Sequence, residues 1–411
     1  MSKKPALLML DDGTCFEGLA VGACAEACGE FVFATAMCGY QEILSDPAHY
    51  GQIPVFTAAH IGNYGATPQD DEATSLYAAP AFTPDATAPE LRHFGAAGAV
   101  FHDLFTEADA LPFPHWRAKS SLNAELAERG ITGISGVDTR ALTLHLRTQG
   151  ARNGIISALD LDRDSLLRRA KALPSMQGRD LAGMVGCQIS YAFTPRGGDL
   201  LPLSYSPGSA NPAGTIAGGP PQKPLNIALL DCGVKRSTLL HLTRNNLRPM
   251  LWPAKTPAAE ILAAGADGFI IAGGPGDPAA CGYAAETLRE LLGRLPFFGL
   301  GLGHQLLGLA LGAKTYKLPC GHHGPNHPVR EVATGKVSIT SQNHGFCLQA
   351  DNLPARLRPT HWNLNDGTLE GMAVTDVPAF SVQYNPESAP GERDAFGLFA
   401  SFRKLIDEFK G

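Results

Sequence analysis

The stretch Phe297-Phe298-Gly299-Leu300-Gly301-Leu302-Gly303-His304-Gln305-Leu306-Leu307-Gly308-Leu309-Ala310-Leu311-Gly312 passes from a short apolar run, through a glycine-spaced turn, into an apolar helical pattern. A buried strand that breaks sharply into a helix has this form. A small–x–nucleophile–x–Gly turn between strand and helix is an elbow that projects one side chain at the sheet edge. Backbone N–H groups beside it can hold an oxyanion. The flanking glycines make room for the turn. The projecting position here is Gly301, which has no side chain.

Working outward, the region around this stretch reads as regular α/β. Apolar runs at 227–230, 269–272 and 297–300 alternate with helical patterns at 235–245, 258–264, 286–292 and 306–311. Continuous apolar strands alternating with helices predict a mainly parallel sheet covered by helices on both faces. Ligands on such sheets bind at the carboxyl ends of strands. Chemistry is therefore expected in the loops after Ala272 and Leu300. The first of these loops is Gly273-Gly274-Pro275-Gly276-Asp277-Pro278. Its glycines allow a close backbone approach to a ligand, but a plain structural turn has the same composition. Further on stand Ser341-Gln342-Asn343-His344-Gly345-Phe346 and the strand 380–383, followed by Tyr384-Asn385-Pro386-Glu387. The spacing of Phe396, Leu398, Phe399, Phe402, Leu405, Ile406 and Phe409 predicts a closing helix.

The first ~70 residues are β-rich, with strands expected at 6–10, 31–33 and 53–56. Helices are expected at 122–129 and after Asp138-Thr139, with Leu142, Leu144 and Leu146 in its turns. Pro and Gly are dense from 194 to 224, which reads as a linker. The chain thus divides into a β-rich mixed N-terminal domain (1–193), a linker (194–224) and an α/β domain (225–411).

The chain has 411 residues, 44% of them hydrophobic, and a net charge of −6. That supports two or three domains and offers no basic run to bind nucleic acid. No apolar run approaches the ~18 residues of a membrane span. The N-terminal apolar run breaks at Asp11-Asp12-Gly13, unlike a secretory signal, so a cytoplasmic location is expected. Nine cysteines, an odd number, suit a reducing compartment. Cys24 and Cys28 lack a second ligand pair, and no metal is expected there.

These motifs resemble class I glutamine amidotransferases, whose elbow reads G-x-C-x-G-H-Q and whose other signatures are N-G-P-G-D-P, Q-N-H-G-F and G-H-P-E. Within that class the chain is similar to the small subunit of carbamoyl phosphate synthetase. The helix after the elbow, the run Gly321-His322-His323-Gly324-Pro325-Asn326-His327-Pro328 and the 342–346 run carry that likeness. So do Met37-Cys38-Gly39-Tyr40-Gln41-Glu42-Ile43-Leu44-Ser45-Asp46-Pro47, His60-Ile61-Gly62-Asn63-Tyr64-Gly65 and Gly136-Val137-Asp138-Thr139-Arg140-Ala141-Leu142-Thr143. The resemblance covers nearly the whole chain apart from the linker.

The resemblance implies a C-terminal amidotransferase domain in which Cys attacks glutamine, His is the base and Glu orients it. It implies a large-subunit partner that uses ATP and a divalent metal, with no cofactor or metal in this chain. The joint product would be carbamoyl phosphate for pyrimidine and arginine biosynthesis. It also implies glutamine contacts at Gly274, Gly276, Leu302, Gln305, Asn343, Gly345 and Phe346.

The departures fall on the chemistry. Gly301 stands where the family has its cysteine, and Asn385 where it has its histidine; Glu387 matches. Ala48 replaces a glutamine-binding serine, Gly273 replaces the loop's Asn, and Tyr384 replaces a glycine. An amide cannot titrate near neutral pH, so Asn385 cannot act as a general base. Cys38, Cys320 and Cys347 lie in family-like motifs but not at the elbow. The expectation is little or no glutamine hydrolysis. The assembly is then expected to accept free ammonia, with this chain stabilising or regulating the large subunit; the alternative is a non-catalytic glutamine-binding subunit, unless the Tyr384 ring fills the pocket. The His-rich loop expected at 322–327, beside Cys320, invites a zinc reading, yet a structural or interface role is preferred, and His344 is expected to be a satisfied structural histidine.

Overall fold

The computed structural model describes residues 4–74, 95–105, 115–195 and 223–411. Most of the expected linker, and any boundary inside it, lies outside the described residues.

In the N-terminal half, short apolar strands meet at turns fixed by local polar contacts. Asp12 Oδ1 accepts from Thr14 N at 2.9 Å, and the chain returns so that Met9 lies opposite Cys15. Strands Pro5–Leu10, Cys15–Gly22, Thr132–Ser135, Gly98–Val100, Gln52–Phe56, Glu26–Ala34 and Arg152–Ser157 follow one another around a closed barrel. The closure itself was not expected from the sequence. Leu8, Leu10, Phe31, Ile53, Val55, Val100, Ile134 and Ile156 share one buried cluster. The helix Thr139–Gln149 starts at Asp138, whose side chain accepts from Ala141 N. It packs Leu142 and Leu146 onto that cluster, while Leu144 faces solvent.

The second half is a ten-stranded sheet. Leu247–Pro253, Leu225–Asp231, Gly268–Ala272, Phe297–Leu300 and Ala379–Val382 lie side by side in parallel. Successive side chains point to opposite faces. Ala228, Leu230, Phe269 and Ile271 join one core, and Ile227, Leu229, Ile270 and Phe298 join the other. Both faces are buried, which is why the strands are continuously apolar. Each fully buried Leu, Ile or Phe contributes about 1.5–3 kcal/mol relative to exposure. The helix Gly397–Lys410 covers the second face with Phe399, Phe402 and Ile406.

Three readings need correction. The helix after the elbow begins at Leu302, immediately after Gly301, not at 306. The helix expected at 286–292 is Gly282–Leu291. The His-rich run is no loop but part of the strand Thr315–Glu331, which pairs antiparallel with Val337–Leu348. These strands, with Leu357–Asn363 and Leu369–Val374, form an antiparallel wing beyond the parallel core. The wing reaches the barrel, where Thr35 N donates to His323 O and Lys317 meets Glu30 at 2.7 Å. Among the described residues, no helix is long and apolar enough to cross a membrane.

Candidate functional site

The site starts from a backbone constraint. Gly301 has φ 54° and ψ −110°, a combination that L side chains adopt only with strain. Its N–H donates to Val382 O at 3.0 Å, and its carbonyl accepts from His304 N. These bonds tie the elbow to the neighbouring strand on one side and to the first turn of its own helix on the other. An ideal Cβ at Gly301 would have no atom nearer than 3.9 Å, so the position has room for one at ordinary van der Waals distance. At Gly303 the same atom would sit 2.0 Å from Ile271 O, so only glycine lets the helix approach the sheet.

The second wall is the loop after Ala272. Gly274 has φ 125°, and a Cβ there would strike Cys232 O and a Leu302 methyl at 2.6 Å. Its close approach to the elbow therefore requires glycine. Asp277 fixes the loop's far end by accepting from Ala279 N and Gly178 N.

The third wall is the strand Val337–Leu348. The Gln305 amide nitrogen donates to Phe346 O at 2.7 Å and to Gln383 Oε1 at 3.0 Å. Asn343 donates to Asp46 Oδ2 at 2.8 Å, and Asp46 Oδ1 accepts from Ala48 N. The barrel half thus closes one side of a pocket whose other sides belong to the sheet half.

One lining pair is charged. Lys235 Nζ lies 3.2 Å from Glu387 Oε1 and donates to Ala389 O at 2.8 Å. Both side chains are almost fully buried. Burial alone would lower the lysine pKa, but the carboxylates of Glu387, Asp46 and Glu72 outweigh it and keep the ammonium well above its ordinary range.

Two family models match this chain. "Glutamine amidotransferase class-I" matches residues 228–405, and "Carbamoyl-phosphate synthase small chain, CPSase domain" matches residues 8–156. Proteins named carbamoyl phosphate synthase small chain align over nearly the full length. That of Xanthomonas axonopodis pv. citri is 42% identical over 408 residues, covering 98% of each chain. That of Syntrophotalea carbinolica is 42% identical, again covering 98% of each. That of Pseudomonas aeruginosa is 43% identical, covering 98% of this chain and 99% of the relative.

The chain belongs to the carbamoyl-phosphate synthase small chain family.

The residues singled out from the family motifs converge on one pocket. Ala48, Gly274, Gly276, Leu302, Gln305, Asn343, Gly345 and Phe346 all line it, as do Gly301, Asn385 and Glu387. Asn385 is held through its backbone N–H, which donates to Ser341 O at 2.9 Å. Tyr384 does not fill the pocket. Two residues past the end of the strand, its ring packs into the second sheet core, edge-on to His361.

Among the described residues lining the pocket there is no cysteine. Cys347 is buried elsewhere, and burial drives its thiol pKa well up. His344 lines the pocket, but its ring nitrogens lie 2.9 Å from Phe346 O and 3.0 Å from Gln342 Oε1. Burial pushes its pKa well below the ordinary histidine value.

The motif reading overlooked Lys235, taken only as a helix start, and the lining roles of Asp46, Gln52, Met176 and Thr238. A lysine ahead of a helix looks like a solvated residue in sequence. Only its burial against Glu387 distinguishes it.

Proposed function

We propose that this chain is the small subunit of a carbamoyl phosphate synthetase and that it does not itself release ammonia from glutamine. Its partner on this reading is the large subunit, which holds ATP and a divalent metal and joins bicarbonate, an ammonia nitrogen and phosphate. One observation carries the loss of hydrolysis. The elbow, the glycine loop and the glutamine-binding wall surround Gly301, where no nucleophile projects, and Asn385, which cannot accept a proton near neutral pH.

In a comparable hydrolase triad, losing the nucleophile or the base alone removes about a million-fold in rate, and losing both adds little because they act as a unit. Glu387, without an imidazole to orient, is engaged by Lys235. On this reading the assembled enzyme draws on free ammonia, and this chain stabilises or regulates its partner.

A second reading is supported by the intact remainder of the pocket: a subunit that binds glutamine without hydrolysing it. Tyr384 faces away and leaves room for a ligand.

The deciding measurement uses the reconstituted two-subunit complex. Glutamate release from glutamine is followed alongside carbamoyl phosphate formation with glutamine or ammonium chloride as donor. Synthesis with ammonium only, and no glutamate release, is expected. Robust glutamine turnover would overturn the proposal, and its persistence or loss after all thiols are alkylated would tell whether a cysteine carries it. Calorimetry with glutamine then tests the second reading, which requires binding without turnover.

A further inference from the structure

Behind the pocket wall, the strand pairing sets His322 directly opposite His344, with their rings 4.9 Å apart. Glu370, from the strand Leu369–Val374, lies under both. All three are buried, and each offers one ligand atom within 4.8 Å of the others.

The hydrogen atoms available to this cluster can be counted. His322 Nε2 lies 2.8 Å from Asp366 Oδ2, a carboxylate acceptor, so that nitrogen carries the proton. His322 Nδ1 is then a lone pair. It has no hydrogen-bond partner and lies 3.8 Å from Glu370 Oε1. Glu370 already accepts from Asn363 at 3.0 Å and from Gln342 Nε2 at 2.9 Å, while the Thr368 hydroxyl, 3.3 Å away, has its shorter acceptor in Asp366 Oδ1 at 2.8 Å. The amide nitrogen of Gln342 also faces Thr340 Oγ1, so Gln342 Oε1 is left as an acceptor. When His344 Nδ1 donates to the Phe346 carbonyl, its Nε2 faces Gln342 Oε1 at 3.0 Å, acceptor against acceptor. Lone pairs of His322 Nδ1, His344 Nε2 and Gln342 Oε1 thus converge beside a carboxylate whose hydrogens come from Asn363 and Gln342; the thiol of Cys347 lies at the other ring nitrogen, 3.7 Å from His344 Nδ1, and supplies none to these lone pairs. A positive charge among them would resolve the conflict.

We propose that His322, His344 and Glu370 form a site for a divalent transition metal of the zinc type. Two imidazoles and a carboxylate are a ligand set that zinc accepts, and Gln342 Oε1 or a water can complete four-coordination. Zn–N bonds of about 2.0–2.1 Å would draw the three side chains inward. The surroundings are those of a metal centre. Asp366 orients the outer nitrogen of His322, and Asn363 and Gln342 hold the carboxylate, as outer partners of metal ligands do. The ion would offset the charges of Glu370 and Asp366. It would also tie three strands together behind Asn343, Gly345 and Phe346.

This differs from the zinc reading of the sequence. Cys320 is not part of the cluster. His323 points to the opposite strand face and meets Asn343 Oδ1 at 2.8 Å. The rival to a metal is a proton on His322, bridging Asp366 and Glu370.

The test uses the full-length chain, dialysed against chelator and alkylated to remove thiol ligation. Cobalt chloride is titrated while the visible d–d band is recorded, and zinc chloride is added in calorimetry and in thermal melts. One equivalent should bind without a thiolate charge-transfer band and should raise Tm. His322→Gln and Glu370→Gln should abolish both effects. Should these variants fail to fold, Asp366→Asn keeps all three ligands and is expected to weaken metal affinity by about 10- to 100-fold. Absence of stoichiometric binding would overturn the proposal in favour of the bridging proton, and unchanged binding in Asp366→Asn would overturn it by placing the metal elsewhere. Glutamine turnover is not used, so the outcome does not depend on the proposed function.

Discussion

At the residue scale, the pocket is governed by what stands at 301, 385 and 235. Space at Gly301 is open to a Cβ, and only the backbone dihedrals resist one. Gly301→Cys should therefore fold, with a loss of about 1–3 kcal/mol in chemical denaturation from a side chain held in a sparsely populated region. The single variant should release no glutamate, because a thiol without a base is half a unit. The double variant Gly301→Cys/Asn385→His should hydrolyse glutamine in a coupled glutamate assay. Its silence, in a folded protein, would show that the remaining walls are also altered. Lys235 is the other decisive residue. Lys235→Met leaves Glu387 buried and unpaired, and should lower stability by about 3–5 kcal/mol. Lys235→Met/Glu387→Gln should lose less than the sum of the single changes in a double-mutant cycle, since the uncompensated charge is gone.

At the element scale, glycines set how closely helix and sheet approach. The Cβ of Gly303→Ala would collide with the Ile271 carbonyl, a backbone atom that cannot swing away. This variant should fold poorly or melt many degrees lower, more severely than Gly301→Cys, although both lie in one motif. Equal melting of the two would contradict the packing account. The sequence showed both glycines but could not rank them, because the difference depends on an atom thirty-two positions away. The helix Thr139–Gln149 was legible from its cap. Asp138→Ala removes the acceptor for Ala141 N and should cost about 0.5–2 kcal/mol. The antiparallel wing was not legible. Glycine, proline and histidine are dense from 321 to 328, so the run reads as a loop. It is ordered as a strand because Val337–Leu348 and the barrel hold it from either side.

At the scale of the whole molecule, the barrel and sheet halves meet across buried carboxylates. Glu72 accepts from Ser237 N at 2.9 Å and Ser237 Oγ at 2.7 Å, and burial raises its pKa to about 7. Burial, then Asp70, raises Glu42 to about 8. Both folded values exceed the ordinary carboxyl value of about 4.3. The folded protein therefore keeps protons that the unfolded chain releases. That contribution is complete below about pH 4.3 and is lost as pH rises through the folded values. For Glu42→Gln, the melting difference from the native chain should be smallest at or below about pH 4 and grow more positive up to about pH 8, as the unfolded chain releases a proton that the folded one keeps. A difference independent of pH would remove Glu42 from the account. The sequence by itself determined the elbow, the alternating strands and helices, the family motifs and the absence of a side chain at 301, because these are local patterns with fixed spacing. Tertiary structure decided that Tyr384 leaves the pocket open, that Lys235 takes Glu387, and that His322, His344 and Glu370 share one buried space. Those contacts join positions from 22 to 152 residues apart, where strand register and burial set the partners and local spacing carries no trace of them.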